Sequence, residues 1–139
     1  MKILWTLIAV FILTVLAGIA VLVLPGKAPA PAEQPYADLI QPGTPVVTPT
    51  TLTINGEARG GWYFEGSFPI ELKDAAGVRL VLVPAQAQSD WMTAEWVPFA
   101  ATLNYPAQPA GSHGTLILRN DNPSGLPQND KSVSLPVTF

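Results

Sequence analysis

The stretch FPIELKDAAGVRLVLV, from Phe68 to Val83, determines the predicted fold of this chain. Residues 68–73 place an apolar side chain at every second position, which is the pattern of a half-buried β-strand. Residues 78–83 are more continuously apolar and suit a central strand. Between them, Asp74-Ala75-Ala76-Gly77 has the composition of a tight turn. The stretch therefore predicts a β-hairpin.

The chain after residue 36 contains further runs of this kind and no convincing amphipathic stretch of helical length. Alternating or apolar runs occur at residues 52–54, 99–105, 115–118 and 133–139, with a short one near 38–41 or 46–47. About seven short strands separated by turn residues favour an immunoglobulin-like sandwich of two sheets. We therefore predict an all-β domain over residues 37–139. A small barrel is the alternative.

The N-terminus carries an uncharged apolar run from Ile3 to Leu24. At 1.5 Å per residue this run reaches about 33 Å, which is enough to cross a bilayer core of roughly 30 Å. It predicts a transmembrane signal anchor over residues 1–24. A cleaved secretory signal is the alternative, with a weak cleavage site at Gly18-Ile19-Ala20.

A proline- and alanine-rich segment, PGKAPAPAEQP, follows the apolar run and predicts a linker over residues 25–36. Lys2 precedes the run and Lys27 follows it, so the positive-inside rule favours a cytoplasmic N-terminus only slightly. The position of the run at the extreme N-terminus is typical of a signal anchor that exports its domain. We expect a single-pass protein of the cell membrane with its C-terminal domain extracytoplasmic.

The charge and residue composition exclude several classes of protein. Nine acidic and five basic residues lie after residue 35, which argues against binding to nucleic acid. The chain contains no cysteine, so no disulfide supports the fold. Asn120-Asp121-Asn122 and Asn129-Asp130 are rich in oxygen but do not follow the spacing of a calcium-binding loop. We predict no metal and no cofactor.

Several uncommon short motifs occur in order along the domain. They are Gly56-Glu57-Ala58-Arg59, Trp62, Phe64-Glu65, Phe68-Pro69, Asp74 with Gly77, Trp91-Met92-Thr93, Phe99 and Asn122-Pro123-Ser124-Gly125. Together they resemble the immunoglobulin-like domain associated with bacterial spore germination, the second of the Gmad families. The resemblance implies a sandwich found in exported or membrane-anchored bacterial proteins, without established enzymatic activity and with a spore-related role in some members.

The aromatic residues of GEARGGWYFEGSFP, residues 56–69, are expected to be structural. If this segment is extended, Trp62, Phe64 and Phe68 face the core and Tyr63 faces the opposite way. Its glycines permit a bulge or sharp bend where the chain crosses between the sheets. A second aromatic segment includes Trp91, which could pack across the sandwich, and Trp96, which could contact a partner.

The charged residues of the same segment admit a structural and a functional interpretation. We expect Arg59 to pair with Glu57 or Glu65 and to hold a loop in place. The candidate binding or structural corner comprises Glu57, Arg59, Trp62, Glu65, Asp90, Trp91 and Trp96. The sequence favours a non-enzymatic module that binds a protein or a cell-envelope polymer. The alternative is an enzyme, or an enzyme accessory, that acts on envelope glycans through Glu57, Glu65 or Asp90.

Overall fold

The computed structural model describes residues 35–139, and this part of the chain is all-β. Eight strands are formed: β1 (Ile40–Pro42), β2 (Val46–Val47), β3 (Thr51–Arg59), β4 (Ser67–Asp74), β5 (Arg79–Ala87), β6 (Trp96–Asn104), β7 (His113–Arg119) and β8 (Ser132–Thr138). Two short 3-10 turns, Gly60–Trp62 and Pro127–Asn129, complete the regular structure. Residues 35–139 contain no helix that is long and apolar enough to cross a membrane. The predicted anchor and nearly all of the predicted linker lie outside the described residues.

The strands form one antiparallel sheet in the order β1-β3-β6-β5-β4-β7-β8, with β2 also paired to β3. β5 is paired along its length with β4, but it meets β6 only through Gln86↔Ala100 and Ala87↔Phe99. We call β1, β2, β3 and β6 the first half of the sheet, and β5, β4, β7 and β8 the second half. The all-β prediction is confirmed. The sequence predicts two separate sheets, whereas in the structure the two halves are joined into one sheet through the end of β5. The two N-terminal segments that the sequence offers as alternative strands both form, as β1 and β2.

The core lies where the inward faces of the two halves meet. Phe68 of β4 and Phe99 of β6 illustrate this contact, since their rings pack edge to face with centroids 5.0 Å apart. Both side chains are buried. Ile70 and Leu72 lie on the same inward face of β4 as Phe68, as the alternation of apolar residues in the sequence predicts. The outward positions of β4 are thereby fixed as Pro69, Glu71 and Lys73.

The predicted hairpin turn between β4 and β5 is present. Gly77 has a φ of 80°, a conformation that glycine adopts without steric cost, and its N–H donates to the carbonyl of Asp74 over 3.0 Å. The Asp74 carboxylate accepts hydrogen bonds from the backbone N–H groups of Ala76 and Val78, each 2.9 Å long. Asp74 and Gly77 therefore set the register that aligns β5 with β4.

The prediction for Tyr63 and Phe64 is wrong. Tyr63 is buried and its hydroxyl donates to the carbonyl of Val97 over 2.7 Å, whereas Phe64 is 40 % exposed. Trp62 is buried as expected. The cause is the 3-10 turn at Gly60–Trp62, which connects the two halves and interrupts the two-residue period of a strand. The predicted bend between the halves is thus confirmed. Because of this bend, Tyr63 is directed into the core and Phe64 towards the solvent.

Candidate functional site

The two aromatic segments identified in the sequence pack against each other at the bend. A Cβ on Gly60 would collide with the backbone oxygens of Thr93 and Trp91, so only glycine fits there. A Cβ on Gly66 would lie 3.4 Å from the indole ring of Trp91. The indole of Trp91 is half-buried and packs against the core. This part of the predicted corner is built by close packing.

Arg59 does not form the predicted ion pair with Glu57 or Glu65. Its Nη1 lies 3.8 Å from Oε2 of Glu95, and its guanidinium carbon lies 4.3 Å from the ring centroid of Trp96. The register explains the change of partner, because Arg59 of β3 lies directly opposite Trp96 of β6. The half-buried Trp96 is therefore covered on one face by a cation.

The three carboxylates proposed for the enzymatic alternative are exposed and belong to different local structures. Glu57 is on β3 opposite Pro98. Glu65 has a φ of 50° and forms a tight turn with Gly66. Asp90 accepts a hydrogen bond from the backbone N–H of Met92 over 3.0 Å. Glu65 and Asp90 thus serve turns, and neither Glu57 nor Glu65 forms an ion pair within the described part of the chain.

A different group of charges, which the sequence analysis missed, lies on the outer side of the second half. Glu71 is at the middle of β4, opposite Leu82 of β5 and Ile117 of β7. It is only 2 % exposed, although it points away from the core. The side chains that cover it are therefore those of its neighbours on the same face.

Three basic side chains surround the Glu71 carboxylate. Arg79 Nε donates a 2.7 Å hydrogen bond to Oε1, and Lys73 Nζ lies 3.7 Å from the same oxygen. Arg119 Nη2 lies 2.8 Å from Oε2, an ion pair in which no N–H is aligned for a hydrogen bond. One carboxylate thus holds cations from β4, β5 and β7 together.

The hydrogen bond from Arg79 is the main reason that the pKa of Glu71 lies below its ordinary value of 4.5. Desolvation opposes this shift, and the positive charges of Arg119, Arg79 and Lys73 reinforce it. Glu71 is therefore ionised at neutral pH. With three positive charges around one negative charge, this region carries an excess of two positive charges in a domain that is acidic as a whole.

The cations remain accessible from the outside. The side chain of Arg79 is 56 % exposed and that of Arg119 is 44 % exposed. We call this region the cationic face; it consists of Lys73, Arg79 and Arg119 over Glu71, with Pro69, Leu82 and Pro84 beside them. A shallow cavity of about 320 Å³ adjoins it, lined by Ser67, Phe68, Pro69, Leu82, Val83, Pro84 and Asp121. A second cavity of about 400 Å³ is lined in part by two basic residues, Arg119 and Lys131, and two acidic residues, Asp121 and Asp130.

The outer side of the first half has a different chemistry. Its paired outward positions include Thr53 opposite Thr102 and Asn55 opposite Ala100. These side chains are uncharged, and Arg59 lies at the far end of the same strand. The outer surfaces of the two halves therefore differ in charge. A substitution on the outer surface of the first half can serve as a control for one on the second half.

The oxygen-rich loop at residues 120–130 is held by its own hydrogen bonds. Asn120 Oδ1 accepts from the backbone N–H of Lys131 over 2.7 Å, and Asn122 Nδ2 donates to Asp130 Oδ1 over the same distance. Within residues 35–139, no group of three or more His, Cys, Asp or Glu side chains is arranged to hold a metal ion. The polar residues of this loop stabilise the connection between β7 and β8.

An all-β curled sheet of this kind defines a class of small immunoglobulin-like domains. Residues 39–125 match the family model described as the immunoglobulin-like domain of bacterial spore germination (Gmad2). The match covers more than half of the chain, and the chain belongs to this family. The family is not a known enzyme family. No curated protein and no solved structure matches the chain.

Proposed function

We propose that this protein is a non-enzymatic interaction module of the bacterial cell envelope, with a role related to spore germination. The apolar run from Ile3 to Leu24 anchors it in the cell membrane as a single-pass protein. The linker at residues 25–36 holds the domain outside the cytoplasm, where the cationic face binds a protein or a cell-envelope polymer.

The observation that carries this proposal is the convergence of cations on Glu71. Three of the five basic residues of the domain, Lys73, Arg79 and Arg119, lie within 4 Å of one carboxylate. A net positive surface on an acidic domain attracts an acidic partner and helps to orient it during approach. Membership of the germination family supports the spore-related role.

The geometry favours binding over catalysis on envelope glycans. A glycosidase needs two carboxylates that face each other across a cleft. Glu65 and Asp90 are engaged in turns, and Glu57 stands on the surface of β3. The cavity of about 400 Å³ is lined by two other carboxylates, Asp121 and Asp130, but Asp130 accepts a hydrogen bond from Asn122 within the loop. The family membership also favours a binding role.

Photo-crosslinking in cells tests this proposal. A photoreactive phenylalanine analogue replaces Leu82, which is 47 % exposed on the cationic face. The matched control replaces Thr53, which is exposed on the outer side of the first half. We expect a discrete high-mass adduct from position 82 and none from position 53. Adducts from position 53 alone, or from neither position, would contradict a binding role for the cationic face.

A further inference from the structure

We propose that the cationic face recognises an acidic segment of a protein partner, in which an Asp or Glu carboxylate lies next to an apolar side chain. The carboxylate would bridge Arg79 and Arg119, and the apolar side chain would enter the cavity beside Leu82. This inference rests on the proposed function and specifies the chemistry of its partner.

The first argument is the arrangement of the two guanidinium groups. Arg79 uses Nε on one oxygen of Glu71, and Arg119 uses Nη2 on the other. Both groups therefore lie against a single carboxylate, Arg79 from β5 on one side of β4 and Arg119 from β7 on the other. A guanidinium has five N–H donors, so most donors of each group remain free for a second, bidentate acceptor. Glu71 thus holds two arginines in place for an incoming carboxylate.

The second argument is charge. The four side chains of Lys73, Arg79, Arg119 and Glu71 carry a net charge of +2, and Asp121, which lines the adjoining cavity, forms no ion pair with them. Neighbouring cations repel each other, and an anion from a partner relieves that repulsion. The remainder of the domain is acidic and repels the same anion. The charge distribution therefore selects an acidic group and directs it to this face.

The third argument is the apolar surface beside the cations, which favours a protein over an anionic polymer. Leu82 lies opposite Glu71 in the β4–β5 register, and Pro84 lies opposite Pro69 one step further along each outer face. The cavity of about 320 Å³ at this position is lined mainly by apolar residues. A protein segment presents carboxylates and apolar side chains together, and arginine with buried apolar groups is typical of protein interfaces.

A selection from a random peptide library displayed on phage tests the inference. The bait is the full-length protein in detergent micelles. We expect enrichment of peptides in which Asp or Glu is next to Leu, Ile or Phe. Labelled copies of the enriched peptides are then titrated by fluorescence anisotropy, with Asn and Gln versions as peptide controls. Binding should fall about tenfold or more when the carboxylates become amides.

The protein variants are chosen so that they keep their fold. The double variant Arg79→Lys with Arg119→Lys retains both positive charges over Glu71 but replaces each planar guanidinium with an ammonium group, which cannot bind a carboxylate through two parallel N–H donors. It should weaken peptide binding about tenfold. Arg59→Lys makes the same change on the first half and should leave binding unchanged. The inference is overturned if no acidic-apolar motif is enriched, or if the double variant binds the peptides as tightly as the parent. Polyphosphate that competes as well as unlabelled peptide would overturn it in favour of an anionic polymer.

The outcomes also separate this inference from the proposed function. If the selection fails while cells still give an adduct from position 82, the cationic face is a binding surface but its partner is not an acidic protein segment. If the adduct is also absent, the proposed function fails as well.

Discussion

Arg79 on β5 donates a 2.7 Å hydrogen bond to Glu71 on β4, across the hairpin that Asp74 and Gly77 close. Arg119 approaches the other carboxylate oxygen from β7. The same contacts that hold three strands at one point also present two arginines outward. Structure and proposed recognition therefore depend on one buried carboxylate.

Glu71→Gln should destabilise the domain at neutral pH. Glutamine keeps the size but loses the charge, so the surrounding cations are no longer compensated. We expect a loss of about 2 kcal/mol in the free energy of unfolding. This is less than the loss expected for a fully buried ion pair, because the basic side chains around Glu71 are partly exposed to water. Glu57→Gln, at an exposed position, should change it by less than about 0.5 kcal/mol.

The difference between the parent and Glu71→Gln should depend on pH. The pKa of Glu71 is lowered by folding, so its contribution is complete above the ordinary value of 4.5. That contribution is lost as the pH falls through the lowered value. Chemical unfolding from pH 7 down to pH 2 measures it. A difference that stays constant over this range would show that the ionised carboxylate contributes nothing.

Gly60→Ala and Gly61→Ala should behave very differently. A Cβ on Gly60 meets the backbone oxygens of Thr93 and Trp91, whereas a Cβ on Gly61 meets nothing within 4 Å. We expect the first substitution to cost about 2 kcal/mol or more and the second to change stability by less than about 1 kcal/mol. Thermal unfolding of both variants is the measurement. Equal stabilities would contradict the close packing at the bend.

Tyr63→Phe should cost about 1 kcal/mol at neutral pH, because it removes the hydrogen bond to the carbonyl of Val97. Burial, and to a lesser extent the charge of Glu57, raises the pKa of Tyr63 above its ordinary value of 10.0. The stability that this shift represents is complete below about pH 10 and is lost at higher pH. Tyr63→Phe should lose less stability than the parent between pH 9 and pH 11. Equal losses in the two proteins would place the hydroxyl in contact with water.

The N-terminal anchor makes a separate prediction. If residues 1–24 remain as a signal anchor, the exported protein should stay in the membrane fraction after a high-salt wash and retain its N-terminus. N-terminal sequencing and fractionation measure this. A mature start near Val21 or Glu33, with the domain released, would show that the apolar run is a cleaved signal.

The sequence predicts the strands of this fold well, because most of the longer strands carry either a two-residue period or a short apolar run bounded by turn residues. The hairpin at Asp74 and Gly77 is also local, and it is confirmed. The pairing of the end of β5 with β6 is not local, and it joins what the sequence suggests are two sheets. The 3-10 turn before Tyr63 has no strong signal beyond its glycines. A two-residue period continued through this turn therefore assigns the side chains of Tyr63 and Phe64 to the wrong sides.

The candidate site was harder to predict because its partners come from distant strands. The sequence suggests that Arg59 pairs with an acid near it in the chain, whereas the β3–β6 register brings Glu95 close to it. Glu71 is not among the candidate residues of the sequence analysis. Its outward direction follows from the period, but the approach of Arg119 depends on the pairing of β4 with β7. Ion pairs between neighbouring strands can be predicted only when the strand order is known, and the sequence alone does not give that order.

The central claim is that the arginines held by Glu71 bind a partner and do more than stabilise the sheet. The most direct measurement is the yield of crosslinked adduct from position 82 in three backgrounds: the parent, Arg79→Lys with Arg119→Lys, and Arg59→Lys. Our account predicts a loss of about tenfold in the double variant alone, with all three proteins equally folded. An unchanged adduct yield in the folded double variant would contradict it.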